Sequence, residues 1–318
     1  MPGLFCFPKE QAMRASVTVR VAASTSNLGA GFDCVGVAVG RWLRVTARVA
    51  PAAAGRPVAI ERAGTLRMLD TAPEADLLYR GFVAACRRAR QEPPAGLALT
   101  AESDIPVARG LGSSAAATVA GAAAAVGLLG LKLDAPALAE LASELEGHPD
   151  NVAPAVFGGA NLVLREPDGL VVTPLPMHPS LALVFAVPEF TVETKRARAA
   201  LPATLPHADA ARAAAKSAAL VHGLAHADLR LLAAGLDDVL HVPFRRALVP
   251  GYDEVTSAAR QAGAPGATLS GSGPTVVAVV AADRARAVGD AMVRAWKGRG
   301  IVAQAFHADR PAGGYEID

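Results

Sequence analysis

The sequence predicts an α+β fold of two domains. The chain has 318 residues, which is enough for about two domains that each bury their own core. Segments with strand character mix with segments of helical spacing without a strict strand-helix-strand repeat, which favours α+β. Hydrophobic residues make up 52% of the chain and aromatic residues only 4%, so we expect cores of Ala, Val and Leu.

The first half of the chain is predicted to start with strands. Three segments have strand character: 16–23, 34–49 and 96–102. Residues 75–91 place their apolar residues at helical spacing, which predicts a helix between the second and third strands. A further helix is predicted from Asp134, which can cap its N-terminus, to Gly147, which can end it.

The second half mixes strands and helices. Predicted strands and helices cover, in order, 181–187 (strand), 209–224 (helix), 274–281 (strand), 282–300 (helix) and 301–307 (strand). The segment REPDG at 165–169 is the best candidate for a boundary, because Pro and Gly interrupt regular structure. We therefore expect an N-terminal domain over residues 1–165 and a C-terminal domain over 166–318.

The charge balance argues against a nucleic-acid partner. The 31 basic and 29 acidic residues give a formal net charge of +2, and the arginines are spread along the chain. Nucleic-acid binding usually needs a broad positive field, so no such partner is expected.

Cysteine usage and the N-terminus favour a cytoplasmic location. Cys6, Cys34 and Cys86 are widely separated and form no Cys-x-x-Cys pair, as expected in a reducing compartment. Residues 1–14 are too short an apolar run, and too interrupted by proline, for a signal peptide. Residues 115–131 carry no charge, but they are rich in weakly hydrophobic Ala and Gly, so no membrane association is expected.

A glycine turn, two hydroxyls and a long alanine run follow one another in PVARGLGSSAAATVAGAAAA. Gly110 and Gly112 allow the backbone to turn, and Ser113 and Ser114 stand at the start of a helix of strong helix formers. A helix N-terminus offers free N–H donors and a partial positive charge, and hydroxyls can bind phosphate oxygens or Mg²⁺. The pattern predicts an anion site.

The loop alone leaves a second interpretation open, a plain turn followed by a serine cap on a buried helix. Two familiar phosphate-binding patterns are excluded. The sequence has no Gly-x-x-x-x-Gly-Lys-Ser/Thr and no Gly-x-Gly-x-x-Gly turn.

Four stretches resemble, in this order, the motifs of the GHMP small-molecule kinases: 23–40, 106–125, 146–162 and 266–280. The resemblance spans most of the chain. The stretches SNLGAGFD and GHPDNVAPAVFGG are similar in particular to the homoserine kinases, and they are far more specific than a glycine loop. Cys34 departs from the small hydroxyl residue expected after GFD.

The resemblance implies an ATP-dependent kinase that converts L-homoserine to O-phospho-L-homoserine, a step of threonine biosynthesis. It implies a ribosomal-S5-like N-terminal domain and a ferredoxin-like C-terminal domain with the active site between them, and a homodimer is compatible with it. Ser114, with Glu140 from the next helix, would hold Mg²⁺. The residues implied to bind ATP are Pro106, Arg109, Gly110, Leu111, Gly112, Ser113 and Ser114.

The same resemblance assigns a substrate pocket to Asn27, Asp33, His148, Asp150, Asn151, Arg198, Arg245 and Gly271. The acids match the ammonium group of homoserine, and the arginines match its carboxylate. Asp33, Asn151 and Arg198 are the implied catalytic residues; Asp33 is first a substrate ligand, and the existence of a general base stays open. Arg245 and its neighbour Arg246 both qualify as the carboxylate partner, and the stretch VPFR favours Arg245.

Two other functions remain. The first is a kinase of a different small alcohol, such as threonine, pantoate or an isoprenoid precursor. The second is a nucleotide-binding regulator without turnover, which predicts a damaged set of magnesium or substrate ligands.

Overall fold

The computed structural model describes residues 14–51 and 57–318; Cys6 and the N-terminal segment considered above as a signal peptide therefore lie outside the described residues, except for Arg14. The described chain forms two β-sheets, one of seven strands and one of four, and helices pack on each.

The first sheet is built around one long strand. Its strands are β1 (Ser16–Ser26), β2 (Val35–Val49), β3 (Val58–Gly64), β4 (Leu97–Ser103), β5 (Ala160–Glu166), β6 (Gly169–Pro174) and the C-terminal β11 (Glu316–Ile317). The main order is β11-β1-β2-β4-β3, with β5 beside β2 and β6 beside β5. Residues 35–37 of β2 pair with β5 and residues 43–49 pair with β4, so one strand joins both parts of the sheet.

Four helices belong to this first domain: α1 (Leu77–Arg88), α2 (Ser113–Leu129), α3 (Ala135–Glu146) and α4 (Val152–Phe157). The alanine-rich α2 is buried along most of its length, between β1, β2 and the other helices. A Cβ at Gly121 would overlap the Leu78 carbonyl, and a Cβ at Gly81 would overlap the Thr118 carbonyl. The small residues therefore allow α1 and α2 to pack backbone against backbone.

The second sheet has the strand order of a ferredoxin-like domain. Its strands are β7 (Leu181–Pro188), β8 (Gly266–Leu269), β9 (Val276–Ala281) and β10 (Ala303–Ala308), in the antiparallel order β10-β7-β9-β8. Between β7 and β8 lie α5 (Thr194–Ala199), α6 (His207–His226), α7 (Leu229–Leu236), α8 (Val242–Arg245) and α9 (Tyr252–Gln261), and α10 (Ala285–Gly298) joins β9 to β10. This gives the strand-helix-strand-strand-helix-strand arrangement of that fold.

The α+β class is confirmed, but the expected boundary after residue 165 is wrong. The segment 165–169 is the tight connection of a hairpin in which Glu166 pairs with Gly169, so a boundary there would cut β5 from β6. The chain passes to the second sheet only between Pro174 and Leu181. The C-terminal strand β11 then returns to β1, so the last residues belong to the first sheet.

The predicted strands and helices appear with the expected type, and several short elements were not predicted: β3, the β5–β6 hairpin, β8, β11, α4, α5 and α7 to α9. Cys34 and Cys86 are free thiols, and burial is the main cause that raises the pKa of each to about 11. Among the described residues, no helix combines the length and apolar character needed to cross a membrane.

Candidate active site

A cavity at the N-terminus of α2 is lined by residues of both domains. The predicted site residues that it brings together are Asn27, Arg109, Gly110, Leu111, Gly112, Ser113, Ser114, His148, Asp150, Asn151, Arg198, Arg245 and Gly271. Three predicted residues are not part of its lining: Pro106, Asp33 and Glu140. Pro106 directly precedes the lining residues of the loop, Asp33 contacts Arg198, and Glu140 contacts Arg165.

The loop over residues 106–114, which we call the phosphate loop because the sequence predicts an anion site there, presents uncapped backbone donors to the cavity. Gly110 and Gly112 have φ angles of 72° and 67°, and Gly112 is the N-cap residue of α2. Among the described residues, no side chain hydrogen-bonds to the first turn of this helix, so its N–H groups stay free for an anion. A Cβ at Gly112 would overlap Ser24 Oγ, which explains the need for glycine in a loop pressed onto β1.

The second domain holds this loop from the opposite side. Ser270 Oγ donates to the Gly110 carbonyl at 2.5 Å and lies 2.8 Å from Thr25 Oγ1. Arg109, which was expected to bind ATP, donates from Nε to the Pro188 carbonyl at 2.9 Å and from Nη2 to the Glu189 carbonyl at 2.5 Å. These bonds fix the loop to the end of β7.

A buried acidic side chain, that of Asp150, lines the cavity. Asp150 is 1% exposed, and its Oδ1 lies 2.9 Å from His148 Nδ1 and accepts the Asn151 backbone N–H at 2.9 Å. Its Oδ2 is buried and has no hydrogen-bond partner among the described residues. A buried carboxylate oxygen without a donor is costly, so this atom points to a ligand that donates hydrogen bonds.

His148 and Asp150 stabilise each other's charged forms. Burial opposes both charges, but the hydrogen bond and the attraction between the two groups outweigh it. The pKa of His148 is therefore raised and the pKa of Asp150 is lowered from their ordinary values. Asp150 is thus an anion in the cavity.

Asn151 is held rigidly by two hydroxyls of β1. Ser24 Oγ donates to Asn151 Oδ1 at 2.9 Å, and Asn151 Nδ2 donates to Ser26 Oγ at 2.8 Å. Both amide atoms are engaged, so the side chain is fixed beside the phosphate loop. The two serines were not predicted as site residues.

The structure distinguishes Arg245 from Arg246, the two adjacent arginines that both qualified in the sequence as partner of the substrate carboxylate. Arg245 is 1% exposed, lines the cavity and donates from Nε to the Ala197 carbonyl at 3.1 Å. Arg246 lies at the surface, where its Nη1 is 3.5 Å from Asp253 Oδ1. Within the described parts of the chain, no carboxylate pairs with Arg245, and burial followed by the charge of Arg198 lowers its pKa. A buried guanidinium of this kind favours an anionic ligand.

Asp33 and Arg198 form a bidentate ion pair between the two domains. Arg198 donates from Nη1 to Asp33 Oδ2 at 3.2 Å and from Nη2 to Asp33 Oδ1 at 3.0 Å. Asp33 has a φ angle of 55°, and its backbone N–H donates to Asn27 Oδ1 at 2.7 Å. Both oxygens of Asp33 are engaged by the guanidinium, which disfavours a role as general base.

The expectation that Glu140 is a metal ligand is wrong. Its Oε1 accepts from Arg165 Nη1 at 3.0 Å and its Oε2 accepts from the Leu170 N–H at 3.0 Å, so both oxygens face the β5–β6 hairpin. Glu146, the last residue of α3, contacts α2 instead, where its Oε1 accepts from Thr118 Oγ1 at 2.6 Å. Thr118 stands one helical turn after Ser114, so this carboxylate reaches the loop-bearing face of α2.

Profiles of two protein families match the chain. The profile of the GHMP kinases N terminal domain matches residues 76–159, which include the phosphate loop and Asp150. The profile of the GHMP kinases C terminal matches residues 219–298, which include Arg245 and Gly271. Each match therefore includes some of the residues that line the cavity.

Relatives of known name cover almost the whole chain. The homoserine kinase of Gloeobacter violaceus is 43% identical over 289 residues, or 87% of this chain and 92% of that protein. The homoserine kinase of Synechococcus sp. is 42% identical over 294 residues, or 91% of this chain and 94% of that protein.

Solved structures show the same likeness. The crystal structure of homoserine kinase from Cytophaga hutchinsonii matches with a TM-score of 0.86 and 31% identity, over 97% of this chain and 99% of that chain. L. major mevalonate kinase in complex with R-mevalonate shares the fold, with a TM-score of 0.64 and 17% identity over 96% of this chain and 98% of that chain. This chain therefore belongs to the GHMP kinase family and, within it, to the homoserine kinases.

Proposed function

We propose that this chain transfers the γ-phosphoryl group of ATP to the hydroxyl of L-homoserine, giving O-phospho-L-homoserine and ADP. The observation that carries the proposal is a pair of buried, opposite charges that face one cavity and lack part of their hydrogen bonding. Arg245 has no carboxylate partner among the described residues, and Asp150 Oδ2 has no donor there. A small zwitterion supplies both missing groups, a carboxylate for the arginine and an ammonium for the acid.

The phosphate side of the cavity supports ATP as the phosphoryl donor. The free N–H groups at the start of α2 and the hydroxyls of Ser113 and Ser114 line the same cavity as the two charges. Backbone donors and the helix dipole bind phosphate without a lysine. The nucleotide phosphates would therefore lie against the loop, and the amino acid between Asp150 and Arg245.

The residues present fit a magnesium ion, although the ligand set differs from the expected one. Mg²⁺ prefers hard oxygen donors; the Ser114 hydroxyl on the cavity wall is one, and the Glu146 carboxylate, which contacts Thr118 one helical turn further along α2, is the second. We assign these two residues to Mg²⁺ in place of Glu140. When bound, the ion would neutralise charge on the phosphates.

The chain's own residues then position the reaction. Arg245 and Asp150 fix the two charged ends of the substrate, which leaves its hydroxyl free to face the γ-phosphate. The hydroxyl oxygen forms a bond to phosphorus as the bond to the ADP oxygen breaks, and the hydroxyl proton passes to the transferred phosphoryl group. The loop N–H groups stabilise the charge that shifts onto ADP, so catalysis rests on positioning and electrostatics. We assign Asp33 and Arg198 to substrate binding at the edge of the cavity.

Release of ADP tests the proposal. The protein is incubated with Mg-ATP and one alcohol at a time: homoserine, threonine, pantoate, mevalonate or shikimate. We expect homoserine to give the highest kcat/KM, because it alone combines both charges with a primary hydroxyl. A higher kcat/KM for another alcohol would overturn the substrate assignment, and no ADP release with any of them would favour a nucleotide-binding regulator.

A further inference from the structure

His241 is a fully buried histidine that contacts both walls of the cavity without lining it. It is 0% exposed and directly precedes α8, the helix that carries Arg245. Its ring stacks on Phe32 of the first domain, with 5.1 Å between the ring centroids and 23° between the ring planes. The Arg245 guanidinium lies over the same Phe32 ring, 5.2 Å from its centroid.

The hydrogen bonds of His241 determine where its proton lies. Nε2 is 3.1 Å from the Asn27 carbonyl and 3.2 Å from the Gly29 carbonyl, and both of these atoms can only accept. Nδ1 is 3.4 Å from Arg245 Nη1, which can only donate. The contacts are therefore satisfied by a neutral ring with its proton on Nε2 and a lone pair on Nδ1.

The charged groups around the ring are compatible with this form. The Asp238 carboxylate lies 3.7 Å from Nε2, but its oxygens already accept the backbone N–H groups of Leu240, His241 and Val242. Arg245 faces the other nitrogen and disfavours a positive ring. Burial is the largest cause that lowers the pKa of His241, and it outweighs the attraction of Asp238.

His241 contacts a turn at residues 27–29, here called the Asn27 turn, whose backbone conformation is unfavourable for most residues. Asn27 and Gly29 have φ angles of 58° and 52°, in the left-handed region that most residues avoid. The turn brings Asn27 into the cavity, and Asn27 Oδ1 accepts the Asp33 backbone N–H at 2.7 Å. A donor bound to both carbonyls of the turn helps to keep it in this conformation.

We propose that His241 is a positioning residue for the substrate: through Nδ1 it orients the Arg245 guanidinium, and through Nε2–H it fixes the Asn27 turn on the opposite wall. The separation between the carboxylate site and the first-domain wall is then set by one rigid ring. This inference rests on the proposed function, in which Arg245 binds the substrate carboxylate.

Three substitutions of His241 separate its two contacts. His241→Asn places an amide oxygen near the position of Nδ1 and retains an acceptor for Arg245. His241→Gln places an amide N–H near the position of Nε2 and retains a donor for the turn, and His241→Leu retains neither. We expect His241→Leu to raise KM for homoserine about 10-fold or more with KM for ATP nearly unchanged, because a misplaced binding group costs mainly substrate positioning.

The partial rescues and a truncated substrate sharpen the test. His241→Asn should recover most of the loss in KM for homoserine, since it restores the acceptor for Arg245, and His241→Gln should recover less. With 3-aminopropan-1-ol, which lacks the carboxylate, His241→Leu should change KM little. Trp296→Phe is the matched control, because it removes one buried hydrogen bond, to the Pro250 carbonyl at 3.0 Å, from the core of the second domain away from the cavity.

A measurement on the unmodified protein complements the variants. The ¹⁵N shifts of the His241 ring should show a neutral ring at pH 7 with the proton on Nε2, as the contacts of both nitrogens require. This readout needs no substrate and stands apart from the proposed function, which fails if the wild-type protein does not phosphorylate homoserine. A proton on Nδ1, an unchanged KM in His241→Leu, or an equal rise of KM for homoserine and ATP would overturn the positioning role. If His241→Leu does not fold, His241→Asn and the ¹⁵N shifts decide.

Discussion

Exchanging each of two adjacent arginines for lysine tests the carboxylate site against a neighbour of the same type. Arg245 is buried in the cavity, and Arg246 forms a surface ion pair with Asp253 in which the side chains are 57% and 71% exposed. Arg245→Lys keeps the positive charge but loses the planar fork that binds a carboxylate through two parallel hydrogen bonds. Arg246→Lys changes the same chemical group outside the cavity.

The structure sets the expected magnitudes. Loss of a desolvated charge-assisted contact costs roughly 2 kcal/mol or more, so kcat/KM for homoserine should fall on the order of 30-fold in Arg245→Lys. The variant also loses the bond from Nε to the Ala197 carbonyl, which lowers the free energy of unfolding by about 1 kcal/mol. Arg246→Lys should change kcat/KM very little, because exposed ion pairs contribute about 0–1 kcal/mol.

Steady-state kinetics at saturating ATP, with homoserine and with 3-aminopropan-1-ol, form the assay. The analogue should be a poor substrate of the wild-type protein, and Arg245→Lys should cost it little, because it has no carboxylate to lose. Equal losses for the two substrates would refute the clamp and assign Arg245 to the fold or to the phosphates. Equal losses in Arg245→Lys and Arg246→Lys would refute the distinction between the two sites.

Further substitutions test other parts of the site. Ser114→Ala should lower kcat on the order of 10²-fold without loss of folding, and near-normal kcat with an unchanged magnesium requirement would remove the loop from the mechanism. Glu146→Gln should raise the Mg²⁺ concentration needed for half-maximal rate while Glu140→Gln should not; the reverse result would restore the original assignment. Nuclear magnetic resonance titration should give His148 a pKa above its ordinary value, and Asp150→Asn should lower it, whereas an identical pKa in both proteins would exclude the ion pair. The pKa of His148 is raised in the folded protein, so the contribution of this residue to stability is complete below about pH 6.5 and is lost as the pH rises through the raised pKa. Measurements of the free energy of unfolding against pH, in wild type and in His148→Gln, can follow this loss.

Local sequence patterns predicted the backbone conformation of the phosphate loop, because its determinants are local. Two glycines with positive φ, serines at a helix start and a run of small residues are all written in one stretch, and the structure places them as expected. The same holds for α3, where Asp134 accepts the Ala137 N–H at 2.9 Å and Gly147 ends the helix with a φ angle of 79°. Caps and turns depend on neighbouring residues, so a sequence can specify them.

Glu140 was the wrong choice of metal ligand because it lies on a different face of α3 from Glu146. In α3 the buried residues Leu138 and Ala142 are four apart, and Glu146 follows after another four, so it extends the face that packs towards the domain interior. Glu140 lies about half a turn away from that face and meets Arg165. The spacing of the apolar residues in α3 therefore favours Glu146 over Glu140 as the acid that faces α2.

Other features depend on contacts that no local pattern records. The polar REPDG segment is equally typical of a linker and of a hairpin turn, and only the pairing of β5 with β6 distinguishes them. His241 obtains its partners from Asn27 and Gly29, which lie more than two hundred residues earlier in the chain. A lone buried histidine in a sequence gives no indication of such contacts. The cytoplasmic location and the homodimer stay predictions.

A crystal structure of this protein with L-homoserine and a non-hydrolysable ATP analogue tests the central claim most directly. The account predicts the substrate carboxylate within hydrogen-bond distance of the Arg245 guanidinium, the ammonium within hydrogen-bond distance of Asp150 Oδ2, and the hydroxyl directed at the γ-phosphate on the α2 loop. A homoserine bound with its carboxylate away from Arg245 and its ammonium away from Asp150 would contradict it.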